Sequence, residues 1–338
     1  MKKVKVQDAV GLVLAHDVTE IIPQKKKGVA FERGRIIELQ DVERLMDLGK
    51  NYVYVTEGNE KEVHEDEAAR RIAQAAMDAH MELTPPREGR INLISKVRGL
   101  VSVNTRKLYA LNSVKEVAFT TVPDRYPVKA GDMIAATRIL PLYIGEAALQ
   151  QAEQTGRQGV IRILPFKSTK GGLVVTGTEV FSGRIKDGSP LVEERLRNYG
   201  LEMIGKEFTP DDVGAIRDAI LRLLQKGADI VITTGGLSVD PDDVTKEGVA
   251  ATGARIQLYG APVFPGAMFL IARRKGKYIL GAPACVYYSK STVLDIILPW
   301  VLAGVKITKS DILKLGHGGL CTNCAECHYP NCFFGKSK

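Results

Sequence analysis

After residue 168 the apolar and polar positions of the chain switch repeatedly between two periods. Short runs rich in β-branched residues, Leu173-Val-Val175, Met203–Phe208, Ile230-Val-Ile-Thr233 and Tyr278–Leu280, read as strands. Between them lie stretches with helical spacing. Ser189-Pro190 supplies a cap followed by proline at the first helical position, and that helix runs to Gly200. Thr209-Pro210-Asp211-Asp212 opens a second helix with Val213, Ile216, Ile220 and Leu224 on one face, closed by Gly227. A third helix is predicted over Asp243–Thr252, and a fourth runs to about Trp300 after the turn Gly281-Ala-Pro-Ala284. This alternation predicts an α/β domain over residues 168–305, a three-layer parallel sheet with helices on both faces.

Upstream the pattern is shorter and more β-like. Residues 1–58 read as a small β-rich unit, with strands at Val4-Lys-Val6 and Val53-Tyr-Val55 and a helix over Asp41–Gly49. The loop Lys25-Lys-Lys-Gly28 is either an anion contact or a solvated turn. Residues 59–167 form a connector helix and a mixed β domain. The helix is predicted over Glu60–Leu83 and stopped by Thr84-Pro85-Pro86, with a thin apolar face of Ala69, Ile72, Ala76 and Ala79. A face so small suggests a partner surface, and with it a homodimer. Strands follow at Val97–Val103, Val117–Val122, Met133–Ala136 and Val160–Leu164, with a helix at Ala147–Gly156. Residues 306–338 form a Cys-rich tail.

Composition narrows the function classes. Of 338 residues, 45% are apolar and 25% charged, the balance of a globular chain of two or three domains. No run of apolar residues is long enough to span a membrane, and Val10–Ala15 is too short for a signal peptide, so a cytoplasmic protein is expected. The net charge is +8, but no segment gathers it into a basic stripe with aromatics, which argues against nucleic acid. A mildly positive protein suits small anions.

In a parallel α/β sheet, ligands bind beyond the carboxyl ends of the strands. Three loops fall there. The first is Thr176-Gly177-Thr178-Glu179, continuing through Ser182-Gly183 to Asp187. The second is Thr233-Thr234-Gly235-Gly236-Leu237-Ser238, continuing through Asp240, Asp242, Asp243 and Thr245. The third is Gly281-Ala-Pro283-Ala284. Gly-Gly lets backbone N–H groups approach a phosphate, with Thr234 and Ser238 as added hydroxyl donors; it is also a common turn. The neighbouring aspartates are either ligands of Mg²⁺ bridging to substrate phosphates or complements to a helix dipole, and Asp211 carries the same ambiguity. The tail reads Cys321-Thr-Asn-Cys324-Ala-Glu-Cys327-His-Tyr-Pro-Asn-Cys332, a C-x2-C-x2-C-x4-C array. Four such thiolates suit one Zn²⁺ or an iron–sulfur cluster, with His317 and His328 as spare ligands. Because the tail offers few apolar residues, metal–thiolate bonds are expected to order it.

These residues also carry a resemblance. Thr233-Thr-Gly-Gly-Leu-Ser-Val-Asp-Pro-Asp-Asp-Val-Thr245 resembles the strand–loop signature of the molybdopterin-binding domain family, which includes molybdopterin adenylyltransferases, molybdenum-insertion enzymes and gephyrin. Thr176-Gly-Thr-Glu179 with Ser182-Gly183 and Asp187, Pro210-Asp211, and Gly281-Ala-Pro283 are similar to the family's other motifs, in the same order. Ala9–Val18 resembles the opening of the insertion enzymes. The resemblance implies a site for molybdopterin or its adenylate. Gly177, Thr178, Glu179, Ser182, Gly183, Thr234, Gly235, Gly236, Ser238, Thr245, Gly281 and Pro283 would form it, and Asp211 and Asp243 would act as catalytic residues holding the cation. It implies molybdenum-cofactor biosynthesis or handling, with a molybdoenzyme as a possible recipient. A non-catalytic carrier and a nucleotide pyrophosphatase on the same domain remain open alternatives.

Overall fold

The computed structural model describes residues 2–22, 26–56, 62–167 and 169–336. They divide into two compact units: residues 1–94, 104–121 and 133–161 form one, and residues 95–103, 122–132 and 162–338 the other.

In the first unit, strand Lys2–Lys5 pairs antiparallel with Tyr52–Val55, and Leu39–Asp47 forms the expected small helix. Val6, Leu14, Phe31, Ile37, Leu45 and Val53 make its core. The basic loop is corrected: Lys26–Phe31 is a strand paired with Val18–Ile22, while Lys25 lies outside the described residues. The connector helix is shorter than predicted, spanning Glu65–Ala76, with strands Glu62–His64 and Met81–Leu83 beyond its ends. Residues 57–61 are not described, and Ala79 is exposed outside the helix. The alanine face is covered by the chain itself. Ala68, Ala69, Ile72, Ala73 and Ala76 are buried, and the helix packs on Glu146–Arg157, where a side chain at Gly156 would lie 3.1 Å from the Ala75 Cβ. Arg71 ties the two helices together by donating to both Glu146 and Glu153. The small residues therefore serve close helix packing, and the face that suggested a dimer is already occupied.

The second unit holds the α/β domain. Its elements are β1 (Thr169–Thr176), α1 (Thr178–Phe181), α2 (Ser189–Asn198), β2 (Leu201–Thr209), α3 (Val213–Gln225) and β3 (Ile230–Thr234). There follow α4 (Thr245–Ala251), β4 (Arg255–Tyr259), β5 (Leu270–Arg274), β6 (Lys277–Ala282), α5 (Val293–Leu302) and α6 (Lys309–Lys314). The six strands lie in the order β2-β1-β3-β6-β5-β4. The first four are mutually parallel, as expected, and β5 and β4 extend the sheet antiparallel. Alternate residues feed two faces. Leu173, Val175, Ile230 and Ile232 pack with Val192 and Leu196 of α2 and with α5, whereas Val174, Val231 and Ile279 pack with Ile216, Ile220 and Leu223 of α3 and Val249 of α4. The period-two alternation thus produces the three layers.

The tail packs on the α/β domain. Ile312, Leu315 and Phe334 belong to the main core, and Tyr329, Cys321 and Cys332 pack partly buried against it. Tyr329 and Phe334 meet edge to face with centroids 6.0 Å apart. Few as they are, these residues join the core that α5 helps to fill, and their burial helps to seat the tail. Phe334→Ala should cost about 3–5 kcal/mol of stability at that seat. Limited proteolysis should then cut residues 316–336 much faster than in the native protein; equal cutting rates would show that the seat does not hold the tail.

Candidate functional site

Parallel strands stop together, so β1, β3 and β6 end side by side: Val175 pairs with Thr234 and Thr234 with Ala282. The three sequence-predicted loops leave from these ends. The Thr176 hydroxyl is buried, donates to the Thr234 carbonyl at 3.0 Å and lies 3.1 Å from the Thr245 hydroxyl. It joins the first loop to both ends of the second. The Gly-Gly turn is built around it. Gly235 and Gly236 have φ of 90° and 57°, and a Cβ at Gly235 would sit 2.6 Å from the Thr176 carbonyl oxygen. Only glycine meets both demands.

The third loop is tied in by Tyr287. Its hydroxyl donates to the Thr234 hydroxyl at 2.6 Å, and its ring lies where a side chain on Gly188 would meet it at 3.0 Å. Burial pushes the Tyr287 phenol above its ordinary pKa, so it keeps its proton for this bond. Thr176 and Tyr287 were not among the sequence candidates. A threonine at a strand end was the available signal for the first; nothing in the local pattern marks the second.

The predicted residues separate into two groups. Thr234 and Thr245 are fully buried, so their hydroxyls brace the loops instead of facing a ligand. Gly281 leaves room for Leu237, whose Cδ1 would lie 2.8 Å from an added Cβ, and Pro283 is buried at the start of the turn Ala284–Tyr287. Cys285 beside it is buried, and burial pushes its thiol up. On the open side, Gly177 precedes the single-turn α1, and Ser182 and Gly183 close that turn by bonding to the Glu179 and Val180 carbonyls. Glu179, Ser182 and Ser238 are exposed. Arg184 and Lys186 add exposed positive charge to this loop.

Asp211 and Asp243 have matching roles. The Thr178 N–H and hydroxyl donate to Asp211 Oδ2 at 2.8 and 3.1 Å, and the Ser238 N–H donates to Asp243 Oδ2 at 2.7 Å. The other oxygen of each carboxylate makes no hydrogen bond among the described residues. Neither aspartate caps a helix: Asp212 caps α3 through the Ala215 N–H, and α4 begins only at Thr245. Asp187 accepts from the Ser189 N–H at 2.7 Å and faces Lys206 at 3.4 Å. Burial raises its pKa, yet the hydrogen bonds from Ser189 and the Lys206 charge hold it below the usual value.

All of this lies within one recognisable stretch. Residues 172–303 match the family described as "probable molybdopterin binding domain". The match spans the α/β domain and less than half of the chain. Residues 3–57 match a second family, described only as a domain of unknown function (DUF8806). Curated relatives include the CinA-like proteins of Mycobacterium tuberculosis and Mycobacterium avium, 36% and 38% identical over 84 residues, a quarter of this chain. The chain spans about one fifth of the length of these relatives. Similar solved structures include a molybdopterin biosynthesis MoeA protein from Pyrococcus horikosii, at 14% identity and TM-score 0.35, covering 90% of this chain and 74% of that one. The molybdopterin biosynthesis enzyme MoaB from Thermus thermophilus matches at 19% identity and TM-score 0.31, over 40% of this chain and 97% of its own. No helix among the described residues is long and apolar enough to cross a membrane.

Outside the molybdopterin-binding domain, Cys321 and Cys332 are half-buried, while Cys324, Cys327, His317 and His328 are exposed. All four tail thiols are free, and no three His, Cys, Asp or Glu side chains among the described residues converge as a single metal ion requires.

The packing at the Gly-Gly turn can be tested against a matched glycine. Gly183 also has positive φ, 72°, but open space where its Cβ would go. Gly183→Ala should cost only the left-handed backbone penalty, about 1–2 kcal/mol. Gly235→Ala should cost clearly more in chemical denaturation, because the Thr176 backbone must move as well. Equal costs would refute the close approach.

Proposed function

We propose that the chain binds molybdopterin or its adenylate across the three loops and assists insertion of molybdenum into it. The observation that supports this reading is the pairing of two carboxylates with two loops at the strand ends. Asp211 fixes the Thr178 turn and Asp243 fixes the Ser238 turn, each through one oxygen, with the second oxygen left over. Mg²⁺ takes one or two carboxylates and completes its shell with water and substrate phosphate oxygens, so two aspartates without a third protein ligand fit it. Bound there, the ion would supply charge neutralisation to a pyrophosphate and polarise its phosphorus.

The protein's own contribution is positioning. The Gly235-Gly236 backbone brings its surface close to a phosphate, and Ser238 and Ser182 offer exposed hydroxyls to the ligand's polar edge. Arg184 and Lys186 favour the approach of an anion, while Thr176 and Tyr287 keep the loops from parting when charge changes. The metal being inserted is cargo, and molybdate is its simplest source. For the tail, the thiol set suits an iron–sulfur cluster or zinc only after its cysteines draw together.

Adenylated molybdopterin with molybdate and Mg²⁺ is the direct test, read by AMP release. Asp211→Asn and Asp243→Asn each keep an acceptor for the loop N–H but lose the charge. Each should slow AMP release about 100-fold or more while leaving the thermal transition nearly in place. Normal turnover in both variants would reduce the aspartates to loop braces. Tight binding without turnover in the native protein would instead make the chain a carrier. Cleavage of ordinary dinucleotides with no pterin preference would make it a pyrophosphatase.

A further inference from the structure

The Ser238 N–H that holds Asp243 shares a peptide bond with the Leu237 carbonyl. That carbonyl accepts the Tyr259 hydroxyl at 2.7 Å, while the N–H of the same peptide donates to Asp243 Oδ2 at 2.7 Å. A peptide is planar, so fixing its oxygen also fixes the direction of its N–H. The two bonds reinforce each other, because linked hydrogen bonds polarise one another. The first loop meets the same demand by local means. Its Gly177 carbonyl accepts the Phe181 N–H at 2.9 Å within α1, and the Thr178 N–H of that peptide donates to Asp211 at 2.8 Å. Each aspartate is thus held by a peptide pinned at both ends.

The second loop has no helical turn to do this, since α4 begins only at Thr245. Its pin comes from Tyr259, 22 residues away in sequence at the end of β4, the edge strand of the sheet. Burial of the Leu237 side chain in the core beside α3 and α4 fixes where the residue lies, and the Tyr259 hydroxyl fixes how its peptide is turned. Burial, and after it the nearby Asp243 charge, push the Tyr259 phenol above its ordinary pKa, so it remains a donor. Lys246 of α4 places its Nζ 5.0 Å from the ring centroid, which steadies the ring beside the loop. We infer that Tyr259 is a positioning residue of the site: through the Leu237–Ser238 peptide it orients the N–H that sets Asp243. Its effect on a bound cation rests on the reading proposed above, whereas the orientation of the peptide does not.

Tyr259→Phe in the full chain removes the hydroxyl and keeps the ring. The first measurement is amide hydrogen exchange at residue resolution, without ligand or metal. The Ser238 amide should exchange about tenfold faster in the variant, while the Thr178 amide, pinned by its own helical turn, should not change. Unchanged exchange at Ser238 would overturn the inference. So would equal acceleration at Thr178, which would make Tyr259 a general support of the domain. The second measurement is AMP release from adenylated molybdopterin with molybdate. The variant should need about tenfold more Mg²⁺ for half-maximal rate, with its KM for the pterin within about twofold of native. In the Asp243→Asn protein the same change should cost nothing further, because its whole effect runs through Asp243. Independent losses that multiply in the double variant would overturn the inference. Absence of AMP release from the native protein would refute the preceding proposal alone, since the exchange measurement decides the role of Tyr259 without that reaction.

Discussion

One buried hydroxyl governs the shape of the site. Where parallel strands end, the ladder no longer supplies partners, and a buried carbonyl left alone costs stability. The Thr234 carbonyl is such a group, and Thr176 on the neighbouring strand satisfies it. With Thr176 held there, its backbone occupies the space beside residue 235, which excludes any side chain. Its hydroxyl also meets Thr245, so the second loop must return to the place it left. The path of the Gly-Gly turn follows from these contacts, and with it the positions of Ser238 and Asp243.

A similar constraint shapes the carboxylates. An aspartate used only as a brace can give both oxygens to amides, and one used only as a metal ligand needs no amide at all. Asp211 and Asp243 do neither. Each commits one oxygen to the loop it belongs beside and keeps the other. A brace of this kind limits where the remaining oxygen can lie, which is the preorganisation that the Mg²⁺ proposed above would need.

How much of this was legible follows from where the signals are local. The strands β1, β2, β3 and β6 and the helices α2 and α3 are readable because apolar period, caps and closing glycines all agree within a short stretch. The antiparallel strands β4 and β5 were missed. Arg255–Tyr259 alternates half-buried positions at a sheet edge, and Leu270–Arg274 ends in two arginines, so neither has the continuous apolar run of a central strand. The glycines, Ser238 and the two aspartates of the site were visible as loop chemistry. What could not be seen was direction: that Thr234 and Thr245 turn inward, and that Tyr287 reaches 53 residues back along the chain to bond Thr234. Such contacts depend on strand order, which local composition does not encode.

Small residues and scattered aromatics misled in opposite ways, for one physical reason. Burial depends on the surface a side chain meets as well as on its own size. The alanines of Glu65–Ala76 looked too slight to need an internal partner, yet their smallness is what lets Glu146–Arg157 approach so closely. The tail offers few apolar residues, yet Phe334, Tyr329 and Leu315 all join the apolar core around α5, whose ten residues are all buried. That seat changes the meaning of the cysteines. A segment that needed metal to fold would expose its thiols only when unfolded. A segment seated on the core as this one is keeps Cys324 and Cys327 exposed while folded.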